Sequence, residues 1–176
     1  MENNQSATLH FSTDTITFDT VFASIGSITK TLTVYNHNNF DVKSNISLQG
    51  NSSANFRMNI DGIAGNTQSN IEIPAKDSIF IFLEVTIDPM NSNTPYILSD
   101  SLVFTNGTKK QDVDLVAWGQ DAYFHTANTY GDIINGNDTN RFYYHLLDCS
   151  QPWTNDKPHV IYGYAVIDPG KTLTLN

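Results

Sequence analysis

Sulfur, basic charge and helical periodicity are all scarce in this chain. Cys149 is the only cysteine among 176 residues, so no internal disulfide can form and no thiolate cluster can hold a metal. It reads as a small, partly buried hydrophobe. The alternative, a nucleophile beside His145 or His159, lacks a helix N-terminus or cationic neighbour to lower the thiol pKa. Lysine and arginine together number 9 against 18 acidic residues, for a net charge of -9. The acids are spread along the chain rather than gathered in a tail. Such a surface repels phosphate backbones and anionic membranes, so a nucleic-acid partner is not expected. No apolar run reaches the roughly 18 residues that a membrane-spanning helix needs, so no direct membrane insertion is expected. No window carries a 3.6-residue apolar period, which argues against a helical body.

Other absences narrow the chemistry. Glutamates occur only at Glu2, Glu72 and Glu84, so a paired-carboxylate hydrolase site has few candidates. The glycines around Asp61-Gly62-Ile63-Ala64-Gly65 fit neither G-x-G-x-x-G nor a P-loop, and no strand feeding a helix surrounds them. Residues 1–8 are polar and lack the apolar centre of a signal peptide; they read as a disordered lead-in or as the start left after a targeting segment is removed. Asn-X-Ser/Thr triplets at Asn4, Asn45, Asn51, Asn106 and Asn137 carry little information in so Asn-rich a chain. No catalytic motif stands out and no enzyme is expected.

What is present is β-structure. Ile79–Ile87, IFIFLEVTI, alternates: Ile79, Ile81, Leu83, Val85 and Ile87 share one face, with Phe80, Phe82, Glu84 and Thr86 on the other. That pattern predicts a half-buried strand at the centre of an antiparallel sheet, stopped by Asp88-Pro89 because proline has no amide for the ladder. Further strands are expected at 9–11, 15–18, Ile28–Tyr35 (Ile28 inward), Phe40–Leu48, Phe56–Ile60, 71–73, 96–98, 101–105 and Gln111–Trp118. Turns or loops are expected at Ile25-Gly26-Ser27, 61–70 and 88–93, and Asn106-Gly107 gives the strongest hairpin signal. This series of short strands between residues 9 and 119 predicts an all-β fold, an immunoglobulin-like β-sandwich. After Gly119 the composition turns aromatic. Residues 120–176 read as a separate C-terminal β module, with a loop at 130–140 and strands at 141–147, 159–167 and 171–175. Residues 141–147 are apolar or aromatic on both faces and should be covered on both. The final Thr/Leu alternation looks like one rung of a parallel β-helix, which cannot hide its hydrophobic face alone.

Two resemblances bear on this. The run TLTVYNHNNFDVKSNISL, followed by FRMNI, IEIPAKDSIFIFLEVTIDP and SLVFTNG, is similar to Ig-like domains of the abnormal-spindle/hydin type; Asn36 matches the Asn that ends a strand there, and Asp88-Pro89 the closing proline. The pieces FSTDTITFDTVF, LVAWGQDAYFH, PWTNDKPHVIYGY and VIDPGKTLTL resemble uncharacterised secreted or lipid-anchored surface proteins of Bacteroidetes. In that group the last piece leads into a parallel β-helix. The resemblance implies a cell-surface, periplasmic or extracellular location, possession of a downstream β-helix domain as partner, and an anchor lost from this form. It implies no chemistry.

Two sets of side chains are candidate sites. Trp118, Tyr123, His125, Tyr144, Trp153 and Tyr162, with Phe124, Tyr130, Tyr143 and Tyr164, form an aromatic belt beside Asp, Asn and Gln residues. Such rings can pack on sugars or on a surface protein; they can equally seal the join between two modules. Asp132, Asn135, Asn137 and Asp138, with Asn140, offer hard oxygens to Ca²⁺ in a Gly-containing loop; Asx turns explain the same pattern. Asp88, Asn91 and Asn93 are a weaker copy. No other cofactor is implied. His125, His145 and His159, with Asp148 and Asp156, could gather into a metal or acid–base site, but no pair has a ligand spacing, and they are expected to fill the join.

Overall fold

The computed structural model describes residues 7–23, 26–87, 95–136 and 138–176. They fall into two compact units, one reaching to residue 120 and the other made of 121–136 and 138–176. The first unit holds β1 (His10–Phe11), β2 (Thr15–Phe22), β3 (Lys30–Tyr35), β4 (Val42–Leu48), β5 (Phe56–Ile60), β6 (Ile63–Gly65), β7 (Thr67–Ile73), β8 (Ser78–Val85), β9 (Tyr96–Asn106) and β10 (Lys109–Gln120). They form two sheets, β1-β3-β8-β5-β6 and β2-β10-β9-β4-β7. Every pairing is antiparallel except that of β2 with β10. Both sheets keep free edges, so the body is an open immunoglobulin-like sandwich and not a barrel.

β8 lies at the middle of its sheet, and its alternation sets the inner face. Ile81, Leu83 and Val85 are buried beside Leu32 and Val34 of β3 and Phe56, Met58 and Ile60 of β5. The other sheet supplies Phe18, Val42, Ile46, Leu102, Phe104, Val113, Leu115 and Ala117 to the same cluster. Rings meet across the gap: Phe18 lies 5.9 Å from Phe56, and Phe11 4.7 Å from Phe104. Each such side chain contributes roughly 1.5–3 kcal/mol by leaving water. The chain switches sheets at residues 12–14, since β1 and β2 stand in different sheets.

Several local expectations need correction. Ile28 is exposed rather than inward, because β3 begins only at Lys30. The expected loop at 61–70 instead contains β6 and most of β7. Its glycines and asparagines supply the turn, with positive φ at Asp61 and Gly62. Residues 96–106 form one strand, not two. The β9–β10 turn is centred on Gly107-Thr108, because Asn106 pairs with Lys109 and remains in the ladder. Gly107 at φ +57° takes the left-handed position that the hairpin requires. The proposed lead-in gives way by residue 7: Ala7 is buried and its carbonyl accepts from Asn106 Nδ2 at 3.1 Å. The Asp88-Pro89 stop, the 88–93 oxygens and Ile25 lie outside the described residues.

The second unit holds β11 (Tyr123–His125), β12 (Thr129–Asn135), β13 (Asp138–Leu146), β14 (His159–Ile161) and β15 (Tyr164–Val166). β11 pairs in parallel with β14, β13 in parallel with β15, and Trp153 bridges Leu175 in parallel. Taken in chain order, three successive stations lie beside three later stations in the same order. A chain that does this is winding into a coil, one turn stacked on the next. β12 folds back on β13 as an antiparallel hairpin, on the edge of β13 away from β15. The expected run 159–167 is broken at Tyr162-Gly163, with φ +85° at Gly163. The expected strand at 171–175 reduces to the single bridge at Leu175.

Asn36 ties the sandwich together locally. It is fully buried, and its Nδ2 donates to the carbonyls of Phe40 and Ile73 at 2.9 Å and Pro74 at 3.0 Å. Its Oδ1 accepts from Asn38 N and Nδ2. Asn36→Asp keeps the shape, removes both donors and points a carboxylate at three carbonyls. The expected loss is about 2–4 kcal/mol of unfolding free energy, since buried acceptors are left unpaired. Urea denaturation checks this; a loss under about 0.5 kcal/mol would show that the network is dispensable.

Candidate functional site

The hairpin and the coil carry nearly all the sequence-proposed side chains, but not as expected. Residues 130–140 are not an open loop but the β12–β13 hairpin. Register pairs Asp132 with Arg141 and Asn135 with Asp138. Residues three apart in a strand point to opposite faces, so Asp132 and Asn135 cannot serve one ion. Asp132 already accepts from Arg141 Nε at 2.8 Å and Nη2 at 3.1 Å. That hydrogen-bonded pair holds the Asp132 carboxyl below the usual carboxylate range. The Arg141 guanidinium also lies 4.0 Å over the Tyr130 ring. Asn137 lies outside the described residues. Among the described residues no group of three or more His, Cys, Asp or Glu is arranged to hold a metal.

The hairpin is also not covered on both sides. Tyr143 is 62% exposed, and Ile133, Ile134 and Phe142 are exposed as well. The alternation at 141–147 fits a strand with two occupied faces, but a three-stranded sheet has nothing in its own unit with which to bury either fully. Phe142 stacks on Tyr144 at 5.3 Å and lies across Gly131, where a Cβ would meet the Phe142 ring at 2.8 Å. Gly131 is therefore needed for the ring to lie flat.

Of the belt, the structure brings His125 and Trp153 together, and adds His145 and His159. Trp153 stacks on His159 at 4.0 Å and 4° and on His125 at 4.3 Å and 12°. The two imidazoles are nearly coplanar, with an 11° interplanar angle and His125 Nε2 2.9 Å from His159 Nδ1. They lie edge to edge under one indole. His145 meets His125 edge-on at 5.1 Å, and the Tyr123 ring lies 5.0 Å from His159, tilted by 34°. Burial first, then the neighbouring His145 and His159, lower the His125 pKa from its ordinary value. Tyr144 lies on β13, stacked on Phe142. Tyr162 is exposed, 6.3 Å from Phe124. Trp118 belongs to β10 of the sandwich, opposite Ile97, and so stands in the other unit.

Around the column, Tyr123 donates its hydroxyl to Asp156 at 3.1 Å, and Lys157 pairs with Asp121 at 3.3 Å. The Thr154 hydroxyl and then Tyr123 lower the Asp156 pKa; Ser150 does the same for Asp148 through its backbone N–H. The joining of His125 to His159 was invisible from spacing, because only the return of the coil brings residues so far apart in sequence into contact. β12 was missed because Gly and Asp mask an alternation of Tyr130, Asp132 and Ile134 with Gly131 and Ile133.

No known family pattern matches the chain, and no curated protein does. Among solved structures, it is similar to a PapD-like domain of human CEP192, with 13% identity over 69% of this chain and 89% of that one, at a TM-score of 0.42. A protein of unknown function from Porphyromonas gingivalis shares 13% identity over 68% of this chain at a TM-score of 0.46, and the E. coli chaperone DraB 8% over 66% at 0.38. The match spans 54% and 56% of those two chains.

Trp153→Ala removes the roof of the imidazole pair, and should lower the stability of the second unit by about 1–3 kcal/mol. Tyr143→Ala removes an exposed ring and should change stability by less than about 0.5 kcal/mol. Thermal melting followed by circular dichroism separates the two. Equal losses would remove the distinction between packed and free rings.

Proposed function

We propose that this chain is a non-enzymatic structural and docking module of a bacterial cell-surface protein. In this reading the sandwich is the head, and the C-terminal unit is the opening of a parallel β-coil on which a downstream β-helix stacks. One observation carries it: among the described residues, the last turn, β14 with β15 and Leu175, is paired in parallel on one side only. A strand edge of this kind presents unpaired amides and carbonyls and accepts another strand. The side chains there match. Tyr164 is 68% exposed and Leu175 70%, and Ile161, Val166 and Ile167 are exposed beside them. Among the described residues, none of the buried apolar side chains lies in 121–176. Repeat architectures bury their core only between stacked turns. The location at a cell surface or in the periplasm, and attachment through a lipid anchor, rest on the Bacteroidetes resemblance.

The exposure of Tyr143, Tyr162 and Tyr164 favours a second reading, a carbohydrate-binding accessory module of a polysaccharide-acting β-helix protein. Rings open to solvent can pack on sugar C–H faces while nearby Asp and Asn take hydroxyls.

The docking edge predicts association. At raised concentration the chain should self-associate in sedimentation velocity runs. Tyr164→Lys with Leu175→Lys should leave it monomeric with an unchanged melting temperature, because charges on an edge block strand addition. A wild-type chain that stays monomeric, with the double variant indistinguishable from it, would count against docking. A glycan array with Tyr143→Ala tests the second reading: binding lost without loss of stability supports it.

A further inference from the structure

We infer that the His125–His159 pair under Trp153 is an acid-operated latch that holds the second turn of the coil to the first. The tautomers follow from the partners. His159 Nε2 faces the Thr154 carbonyl at 3.2 Å, and a carbonyl only accepts, so Nε2 carries the proton. In neutral His159 the Nδ1 is then a lone pair, and it accepts the Nε2–H of His125 at 2.9 Å. His145 is fixed in the same way, its Nδ1–H donating to the Thr126 carbonyl. β11 carries His125 and β14 carries His159, so this one bond joins successive turns by side chains as well as by backbone.

Acid acts on the pair as a unit. A first proton can enter at His125 Nδ1, which leaves the bond intact and gives Trp153 a cation to cover. A second must enter at His159 Nδ1. Two N–H donors would then face each other across the present bond, both charged, and the rings must part. In the unfolded chain both imidazoles protonate near pH 6.5. Below that pH the unfolded state binds more protons than the latched one, so stability is fully present above about pH 6.5 and falls as pH drops through it. The lowered pKa of His125 has the same sign.

The surroundings do not cancel the effect. Through their ring contacts, His125 faces His145 of β13 and Trp153, and His159 faces Tyr123 of β11 and Trp153. Beyond Tyr123 lie Asp156, which already accepts from the hydroxyls of Thr154 and Tyr123, and Lys157, whose ammonium sits 5.8 Å from the Tyr123 ring. Among the described residues no carboxylate forms an ion pair with either imidazole. The latch rests on the coil geometry and stands whether or not a further turn docks; its consequence for docking is that acid loosens the edge strands.

Hydrogen exchange across pH, corrected for intrinsic rates and read by mass spectrometry on the 176-residue chain, tests it. Between about pH 7.5 and 5, protection at 159–166 should fall about tenfold more than protection in the sandwich strands. The sandwich is the internal control for its own stacked pair, His10 and His37, 4.6 Å apart. His159→Asn places its Oδ1 where Nδ1 stood, so it can still accept from His125 but cannot charge, and should flatten the pH response at 159–166. An unchanged response in that variant overturns the latch. Should His159→Asn lose protection at neutral pH, imidazole nitrogen shifts of the wild-type protein decide. Two separated steps shared by His125 and His159 support the latch; two ordinary, independent titrations overturn it.

Discussion

A β-strand has two side-chain faces and two backbone edges, and every one left uncovered costs free energy. The two units of this chain meet that constraint differently. In the sandwich, neighbouring strands satisfy both edges of each inner strand, and the two sheets hide one face of each in a shared core. In the C-terminal unit each turn satisfies the edge of the turn before it. That arrangement leaves the outermost strands open: among the described residues, β14 and β15 of the last turn have no neighbour on their outer edge.

Magnitudes make the difference plain. Ordering a residue costs roughly 1–2 kcal/mol of backbone entropy. The sandwich opposes that cost with a continuous cluster running from Ala7 to Ala117, at roughly 1.5–3 kcal/mol for each large side chain. The second unit has ring stacks instead, worth about 0.5–1.5 kcal/mol each beyond their area. It also has the exposed Arg141–Asp132 pair, whose attraction solvent screens. A further turn stacked on the parallel edge would bury the apolar side chains left exposed there.

The sandwich was largely legible in the sequence because its strands each bury one face, and burial of one face is what period-2 alternation records. Ile81, Leu83 and Val85 were readable from β8 alone. Ile28 failed because its neighbours alternate while the strand itself starts two residues later. The 61–70 segment failed because a short hairpin of Asn, Gly and Thr shows turn chemistry more strongly than strand pattern. The C-terminal unit was legible only in kind. A rung-like ending could be suspected from the Thr/Leu alternation after Asp168-Pro169-Gly170. The stacking of one station on another could not, because it depends on contacts between residues far apart with no local signature. The loop at 130–140 was misjudged for a related reason: it is a hairpin, and the pleat sends Asp132 and Asn135, close in sequence, to opposite faces.

Histidine in the middle of a coil, where Leu or Val would bury more apolar area, has a structural logic. Apolar stacking between turns is nearly indifferent to a slip along the strand, and short parallel strands are weakly registered. A hydrogen bond is not indifferent. His125 stands opposite Ile161, and His159 opposite Tyr123, so the bond runs diagonally between positions two residues apart in the register. Sliding β14 by two residues in one direction would carry His159 well away from His125; a slip of one residue would send its ring to the other face. Trp153, bonded to Thr174 and Asn176 through its backbone and stacked on both imidazoles, holds the third station to the same register. The column thus gives up some hydrophobic area in return for a unique alignment of one turn on the next, and an edge must be uniquely aligned before anything can stack on it in order.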